Sequence, residues 1–179
     1  SASSGAYLGT SDGMMELGVR PDQSFAIGST FKLYVLGALQ SSIASQAHAW
    51  GENLAIQDAL KSLPSGSMQD FDNGELHPLQ EYAFRMIGGS DNTATDHLMH
   101  LLGRESIEAM LPVMGVVDSS RSIPFLSTRE MFQLKWGVNA IETQTYLDSD
   151  LMRRREILSG FASRPLSHIG QNGASMDAP

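Results

Sequence analysis

An apolar stretch from Phe31 to Leu39 is the feature that most restricts how this chain can fold. Its residues suit a helix that is buried on nearly all sides, yet the second of them is Lys32. Lysine is almost never fully buried without a partner, because an isolated ammonium in an apolar site is very costly. The fold must therefore bury this helix and also supply something for Lys32. With 179 residues the chain can form one ordinary domain, or two small subdomains that share a core.

Composition excludes several classes of function. The hydrophobic fraction of 41% and the charged fraction of 18% are typical of a soluble globular protein, and the net charge of −8 argues against a nucleic-acid-binding surface. The basic run Arg153–Arg155 has acidic neighbours and is interpreted as a solvated helix face. No apolar run approaches 18 residues, so no membrane span is expected. Cysteine is absent, which excludes disulfides, thiolate catalysis and cysteine metal sites.

The sequence predicts two short strands followed by helices. Ala6 to Leu8 and Met14 to Val19 read as strands around the turn signal Thr10–Gly13. After them, apolar spacing and capping signals predict helices near 29–44, 54–62, 79–87, 93–102, 104–113, 127–139 and 149–162. No later segment reads convincingly as a strand. A lone hairpin is marginal in water and has two open edges, so either the helices cover it or further strands lie beyond Pro179.

The spacing of Ser29 and Lys32 allows two interpretations. If Ser29 lies in the first turn of a helix, the i, i+3 spacing places both side chains on one face, beside the free N–H groups of the helix start. A lysine in apolar surroundings can then act as a base near neutral pH and activate the serine as a nucleophile. In the other interpretation, Ser29 caps the helix and Lys32 extends to solvent.

A second motif favours the catalytic interpretation. Ser90, Asp91 and Asn92 follow two glycines, open a predicted helix, and begin 61 residues after Ser29. With Ser-x-x-Lys at 29–32, the chain resembles the superfamily of class A β-lactamases and penicillin-binding proteins in two of its three motifs. The resemblance covers roughly residues 4 to 160. It implies an α/β (α+β) fold of the β-lactamase/transpeptidase type, present here mostly as the all-α subdomain plus an N-terminal hairpin.

The resemblance also implies roles for these residues. Ser29 corresponds to the acylated nucleophile, whose backbone N–H forms half of an oxyanion hole, and Lys32 corresponds to its base or proton relay. Ser90 corresponds to the hydroxyl that passes a proton to the leaving nitrogen. Asn92 donates its amide to the substrate and contacts Lys32, whereas Asp91 is structural or an N-cap of the following helix.

The chain departs from class A β-lactamases in the loop that carries their deacylating glutamate. The flanks of that loop resemble residues 114–117 and 124–135, but only Asp118 to Ile123 separate them. No glutamate in the chain is followed four residues later by asparagine, as the family pattern requires. Glu130 is the nearest acid, and its position predicts a first-turn helix residue instead. The usual deacylation residues are therefore expected to be absent.

The third motif, Lys-Ser/Thr-Gly, is also missing. Lys135–Gly137 and His168–Gly170 mimic it but lack the hydroxyl. We therefore expect three regions: residues 1–28 as the hairpin, 29–164 as the helical subdomain with both motifs, and 165–179 as an irregular tail leading into strands that this sequence does not contain. The remaining part of its own chain is then the expected partner that completes the sheet.

Within the superfamily, the sequence is similar to a divergent actinobacterial group that includes the β-lactamase-like protein of the clavulanic acid biosynthetic cluster. The resemblance implies a serine hydrolase acting on small β-lactam-like or ester substrates, outside the cytoplasm. A sensor-type domain that holds a long-lived acyl adduct and a non-catalytic scaffold stay open as alternatives. No cofactor or metal is expected, because His97 and His100 lack a third ligand.

Overall fold

The computed structural model describes residues 6–9, 16–19, 26–62, 65–162 and 164. The chain divides into two compact units at Phe31, and each is described by itself. In the first unit, β1 (Ala6–Gly9) pairs antiparallel with β2 (Glu16–Val19), with Ala6 opposite Val19. Both strands of the predicted hairpin are therefore confirmed, although the predicted turn lies outside the described residues. A 3₁₀ turn, Gly28–Phe31, leads along the chain into the first helix.

The second unit is mainly helical. Its helices are α1 (Lys32–Ala44), α2 (Leu79–Gly88), α3 (Asn92–Leu102), α4 (Arg104–Val113), α5 (Thr128–Phe132), α6 (Ala140–Asp148) and α7 (Leu151–Ser159). A small sheet of β3 (Asn53–Ala55) and β4 (Leu76–Pro78) precedes α2, with antiparallel register. No helix in the described part of the chain is long and apolar enough to span a membrane.

Helix α3 lies at the centre of this unit. Every residue from Asn92 to Met99 is buried, and the helix contacts α1, α2, α4 and α5. Helices α1, α2 and α4 each contribute apolar side chains to the core, whereas α5 meets α3 through the buried polar residue Thr128. The main core consists of buried aliphatic, methionine and aromatic side chains: Val35, Ala38, Leu39, Ile56, Met68, Leu79, Tyr82, Ala83, Met86, Ala94, Leu98, Met99, Ile107, Leu111 and Phe125. Helix α3 thus holds the residues at its start in a fixed, dry position.

Two predicted helices are wrong in part. Residues 54–62 form β3 and a 3₁₀ turn, Asp58–Leu60, because the backbone of this segment pairs with β4 across a long loop. The expectation that no later segment forms a strand is therefore also wrong. The predicted helix 127–139 breaks after α5 into a π turn, Gln133–Gly137.

Helix α6 was not predicted at all. Asn139 caps its start, because its side-chain oxygen accepts hydrogen bonds from the N–H groups of Ile141 and Glu142. In return, the Glu142 carboxylate accepts a hydrogen bond from the Asn139 N–H at 3.2 Å. This reciprocal capping box starts a new helix where apolar periodicity is weak. The predicted tail, residues 165–179, lies outside the described residues, as does the His168–Gly170 segment.

Candidate active site

Lys32 begins α1 and its side chain is almost entirely buried, at 1% exposure. Its ammonium donates to Ser90 twice, to the carbonyl oxygen at 2.5 Å and to Oγ at 3.0 Å, and to Oδ1 of Asn92 at 2.8 Å. Burial lowers the pKa of Lys32 to about 8, and the nearby charges of Asp91 and Asp96 oppose this shift. The buried lysine therefore has a full set of acceptors and still releases its proton near neutral pH.

The loop between α2 and α3 brings Ser90 to Lys32. Ser90 has a positive φ of 53°, which turns the chain sharply before α3 begins. A neighbouring loop fixes this turn, because Ser65 Oγ donates to the Ser90 carbonyl at 2.9 Å and the Asn92 N–H donates to the Ser65 carbonyl at 2.9 Å. Ser65 therefore fixes both residues that contact the ammonium, Ser90 through its hydroxyl and Asn92 through its backbone carbonyl.

Asp91 is structural. One carboxylate oxygen caps α3 by accepting the Ala94 N–H at 2.8 Å, and the other accepts the N–H groups of Ser67 at 2.7 Å and Met68 at 2.9 Å. Gly66 makes this possible, since its φ is +107° and a Cβ there would lie 2.2 Å from the Asp91 carboxyl carbon. Asp91 therefore ties the 65–68 loop to the start of α3.

A buried polar cluster that the sequence did not reveal lies one turn further along α3. Asp96 accepts the Thr128 N–H at 2.7 Å, the Thr128 hydroxyl at 2.8 Å and the Arg129 N–H at 2.9 Å. The Thr128 hydroxyl also lies 2.8 Å from Ser62 Oγ and 3.3 Å from the Asn92 carbonyl oxygen. This cluster attaches the start of α5 to the helix that presents Asn92. In the sequence, Asp96 carries no signal beyond an acidic residue inside a predicted helix.

Ser29 lies in the 3₁₀ turn immediately before Lys32 in the chain, and it is exposed. The turn is closed by a hydrogen bond from the Thr30 N–H to the Ile27 carbonyl at 3.1 Å. Ser29 belongs to the first unit. Of the predicted site residues, the second unit brings together Lys32, Ser90 and Asn92 directly, with Asp91 supporting them.

The shortened loop ends in a firmly anchored segment. Phe125 packs edge-on against Phe31 and Tyr34, and its N–H donates to Glu108 Oε1 at 2.9 Å. These contacts fix the end of the loop against the start of α1.

Glu130 is occupied as a structural residue. It forms a capping box with Ser127 at the start of α5 and pairs with Arg104 at 2.7 Å. The prediction of a first-turn helix residue is confirmed. Each carboxylate oxygen accepts one hydrogen bond, from Arg104 and from the Ser127 N–H, and these bonds hold Glu130 at the start of α5.

His97 is a buried structural histidine. Its Nδ1 donates to the Thr93 carbonyl at 2.7 Å, and its Nε2 accepts the Gln57 N–H at 2.9 Å, so the ring is neutral in this arrangement. Burial lowers the pKa of His97, which also favours the neutral ring. Within the described ranges, no group of three histidine, aspartate or glutamate side chains could hold a metal ion.

Comparison with known proteins assigns the chain to a family. Residues 2–145 match the profile of the beta-lactamase enzyme family. The chain belongs to this family. No curated protein matches the chain.

Several solved structures are similar to this chain in fold. PBP-A is 25% identical, with a TM-score of 0.57 over 84% of this chain and 62% of its own. A mutant of PBP-A, solved as an acyl-enzyme complex with penicillin G, is 25% identical over 88% of this chain and 61% of its own, also with a TM-score of 0.57. A beta-lactamase from Sphaerobacter thermophilus DSM 20745 shares the fold at 24% identity and a TM-score of 0.57, over 62% of this chain and 42% of its own. The chain therefore spans less than two thirds of the length of these proteins.

Proposed function

We propose that this chain carries the acylating residues of a serine hydrolase that acts on small β-lactam or ester substrates. The observation that carries the proposal is the buried Lys32 ammonium, held by Ser90 and Asn92 with its pKa lowered to about 8. A surface lysine would be almost fully charged at pH 7 and could not accept a proton. A buried amine with hydroxyl and amide partners is the arrangement that a general base requires.

In the proposed reaction, Ser29 Oγ attacks the substrate carbonyl carbon and transfers its proton to the neutral Lys32 amine. The carbon–nitrogen bond of the lactam, or the carbon–oxygen bond of the ester, then breaks. The proton returns from Lys32 through the Ser90 hydroxyl, 3.0 Å away, to the leaving atom. Asn92 keeps its amide oxygen on Lys32, and its N–H₂ group is the donor that we propose for the substrate. The product is a Ser29 acyl-enzyme and a protonated leaving group.

A second candidate function is a domain that keeps the acyl group for a long time. This candidate is favoured by the state of Glu130, whose two oxygens already accept bonds from Arg104 and Ser127. A Glu130 side chain held by these two bonds would activate water poorly, and the acyl-enzyme would then be hydrolysed slowly. The PBP-A mutant, to which this chain is similar, was solved as an acyl-enzyme complex with penicillin G.

Intact-protein mass spectrometry with a penicillin and a cephalosporin tests both candidates. We expect a mass increase that disappears in Ser29→Ala and persists in Ser45→Ala, an exposed serine at the end of α1. An adduct that decays with release of opened product supports the hydrolase, whereas one that persists for hours supports the long-lived acyl domain. If neither lactams nor activated esters label Ser29, both proposals fail and the non-catalytic scaffold stands.

The family resemblance also suggests where the protein acts and what completes its substrate site. We propose that the protein acts outside the cytoplasm, where β-lactams first meet a cell. We also propose that further strands of its own chain complete the substrate site, because the solved relatives are longer than this chain. Fractionation of cells that produce the protein, with detection by antibody, tests the location.

A further inference from the structure

A cavity of about 290 Å³ lies in the second unit, between α3, the start of α5 and the end of α7. One wall is apolar and includes Met99, Leu158 and Phe161. The charged lining consists of two arginines and two acidic residues: Arg104, Arg129, Asp96 and Glu130. None of Lys32, Ser90 and Asn92 lines this cavity, so it is separate from the lysine site. Its volume is at the lower end of the range for small-molecule pockets, which restricts a ligand to about the size of one ring with a polar group.

Arg129 carries a charge that the described residues do not neutralise by direct contact. Its two terminal nitrogens donate to the backbone carbonyls of Lys61 at 3.0 Å and Arg164 at 2.6 Å, both of them neutral acceptors. Its Nε is buried, and no group in the described part of the chain accepts a hydrogen bond from it. Burial lowers the pKa of this guanidinium, and the nearby charge of Asp96 opposes this shift. A buried donor without an acceptor is rare in folded proteins and points to a missing partner.

The other charged groups of the cavity are already occupied. Arg104 pairs with Glu130 at 2.7 Å, so these two charges offset each other. Asp96 faces three donors on Thr128 and Arg129, and burial raises its pKa to about 7, so the carboxyl is only partly ionised at neutral pH. The cavity therefore combines an apolar wall with Arg129, whose guanidinium has only carbonyl oxygens as hydrogen-bond partners in the described part of the chain.

We propose that this cavity binds a small organic monocarboxylate, with its ring or alkyl body against Met99, Leu158 and Phe161 and its carboxylate against Arg129. Arginine is well suited to this ligand, because its planar guanidinium matches carboxylate geometry. Each terminal nitrogen of Arg129 carries two hydrogens and donates one to a backbone carbonyl, so the second hydrogens are the donors that we assign to the carboxylate. This proposal does not depend on the catalytic role of Lys32.

Titration of the ¹⁵N-labelled chain with benzoate, followed by amide NMR, tests the proposal, with benzamide as the neutral control of the same shape. We expect saturable benzoate shifts at Met99, Arg129 and Leu158, and binding of benzamide weaker by about tenfold, the loss expected for one charge-assisted hydrogen bond. Equal binding of the two compounds would overturn the proposal, as would benzoate shifts confined to the surroundings of Lys32.

Two variants locate the site. Arg129→Gln removes the charge and should weaken benzoate about tenfold while leaving benzamide unchanged, whereas Arg153→Gln, on the exposed face of α7, should change neither. Ala162→Trp fills the cavity from its exposed edge and should abolish binding of both compounds, a result that does not require Arg129→Gln to fold. Unchanged benzoate binding in Ala162→Trp would show that the ligand lies elsewhere and would refute the proposal.

Discussion

Replacing Asn92 by aspartate places a carboxylate where an amide oxygen now accepts a hydrogen bond from Lys32 at 2.8 Å. The two side chains have nearly the same shape, so the main change is one negative charge beside the ammonium. An opposite charge at this distance favours the charged form of lysine and shifts its pKa by about 1–3 units. We therefore expect the pKa of Lys32 to rise from about 8 toward the ordinary value of 10.5.

The magnitude follows from the fraction of neutral amine. At pH 7 a lysine with a pKa of 8 is neutral in roughly 9% of molecules, and each unit of increase lowers this fraction about tenfold. If neutral Lys32 is the base, Asn92→Asp lowers the acylation rate at pH 7 by about tenfold to a thousandfold. The pH at which the rate stops rising should move from about 8 to roughly 9 or higher.

The assay is the rate of Ser29 acylation from pH 6 to 10, measured by rapid quenching and intact mass. Loss of the Asn92 amide as a substrate donor would lower the rate at every pH without moving the plateau, so the two effects are separable. Asn139→Asp makes the same change at the α6 N-cap, where aspartate caps equally well, and should leave the profile unchanged. An Asn92→Asp profile that levels off at the wild-type pH would refute Lys32 as the base. An NMR titration of the Lys32 side chain checks the shift without substrate.

Further predictions concern stability. Burial raises the pKa of Asp96 from 3.8 to about 7, so between these pH values the folded chain holds a proton that the unfolded chain releases. The unfolding free energy therefore falls as pH rises from 3.8 to about 7. Urea denaturation should show the unfolding free energy of wild type, relative to Asp96→Asn, falling between these pH values; a flat difference would contradict the shift. Gly66→Ala should lose about 1–3 kcal/mol more than Gly74→Ala, because both have positive φ but only the first meets Asp91, and equal losses would count against the close packing. Ser127→Ala should cost about 1 kcal/mol in thermal unfolding through loss of the α5 N-cap, and an unchanged stability would show that the cap is dispensable.

The sequence predicted helices well where their apolar faces repeat, as in α2, α3 and α4. It failed for β3 and β4, because these strands are three residues long and their hydrogen bonds join segments that periodicity cannot connect. The missed helix α6 did carry a readable signal, since Asn139 and Glu142 have the spacing of a capping box. The segment after it lay between the predicted helices 127–139 and 149–162, because its apolar periodicity is weak.

The two sequence motifs of the site were predictable, but most of the contacts that hold them in place were not. Ser-x-x-Lys and Ser-Asp-Asn were recognisable from resemblance, and the structure places Lys32 against Ser90 and Asn92. The groups that hold them were not predictable, because the contacts of Asp96 with Thr128 connect residues 32 positions apart through a buried cluster. Such contacts depend on how helices pack, and nothing in the local sequence records them.

The number of hydrogens on the Lys32 amine has a consequence for the direction of its hydrogen bonds. The ammonium has three, and three oxygens receive them: the Ser90 carbonyl, Ser90 Oγ and Asn92 Oδ1. After deprotonation the amine keeps two hydrogens and gains a lone pair, which needs a donor. Among these oxygens only the hydroxyl carries a hydrogen of its own. Of the three bonds, only the one between Lys32 and Ser90 Oγ can therefore reverse its direction when the lysine loses its proton.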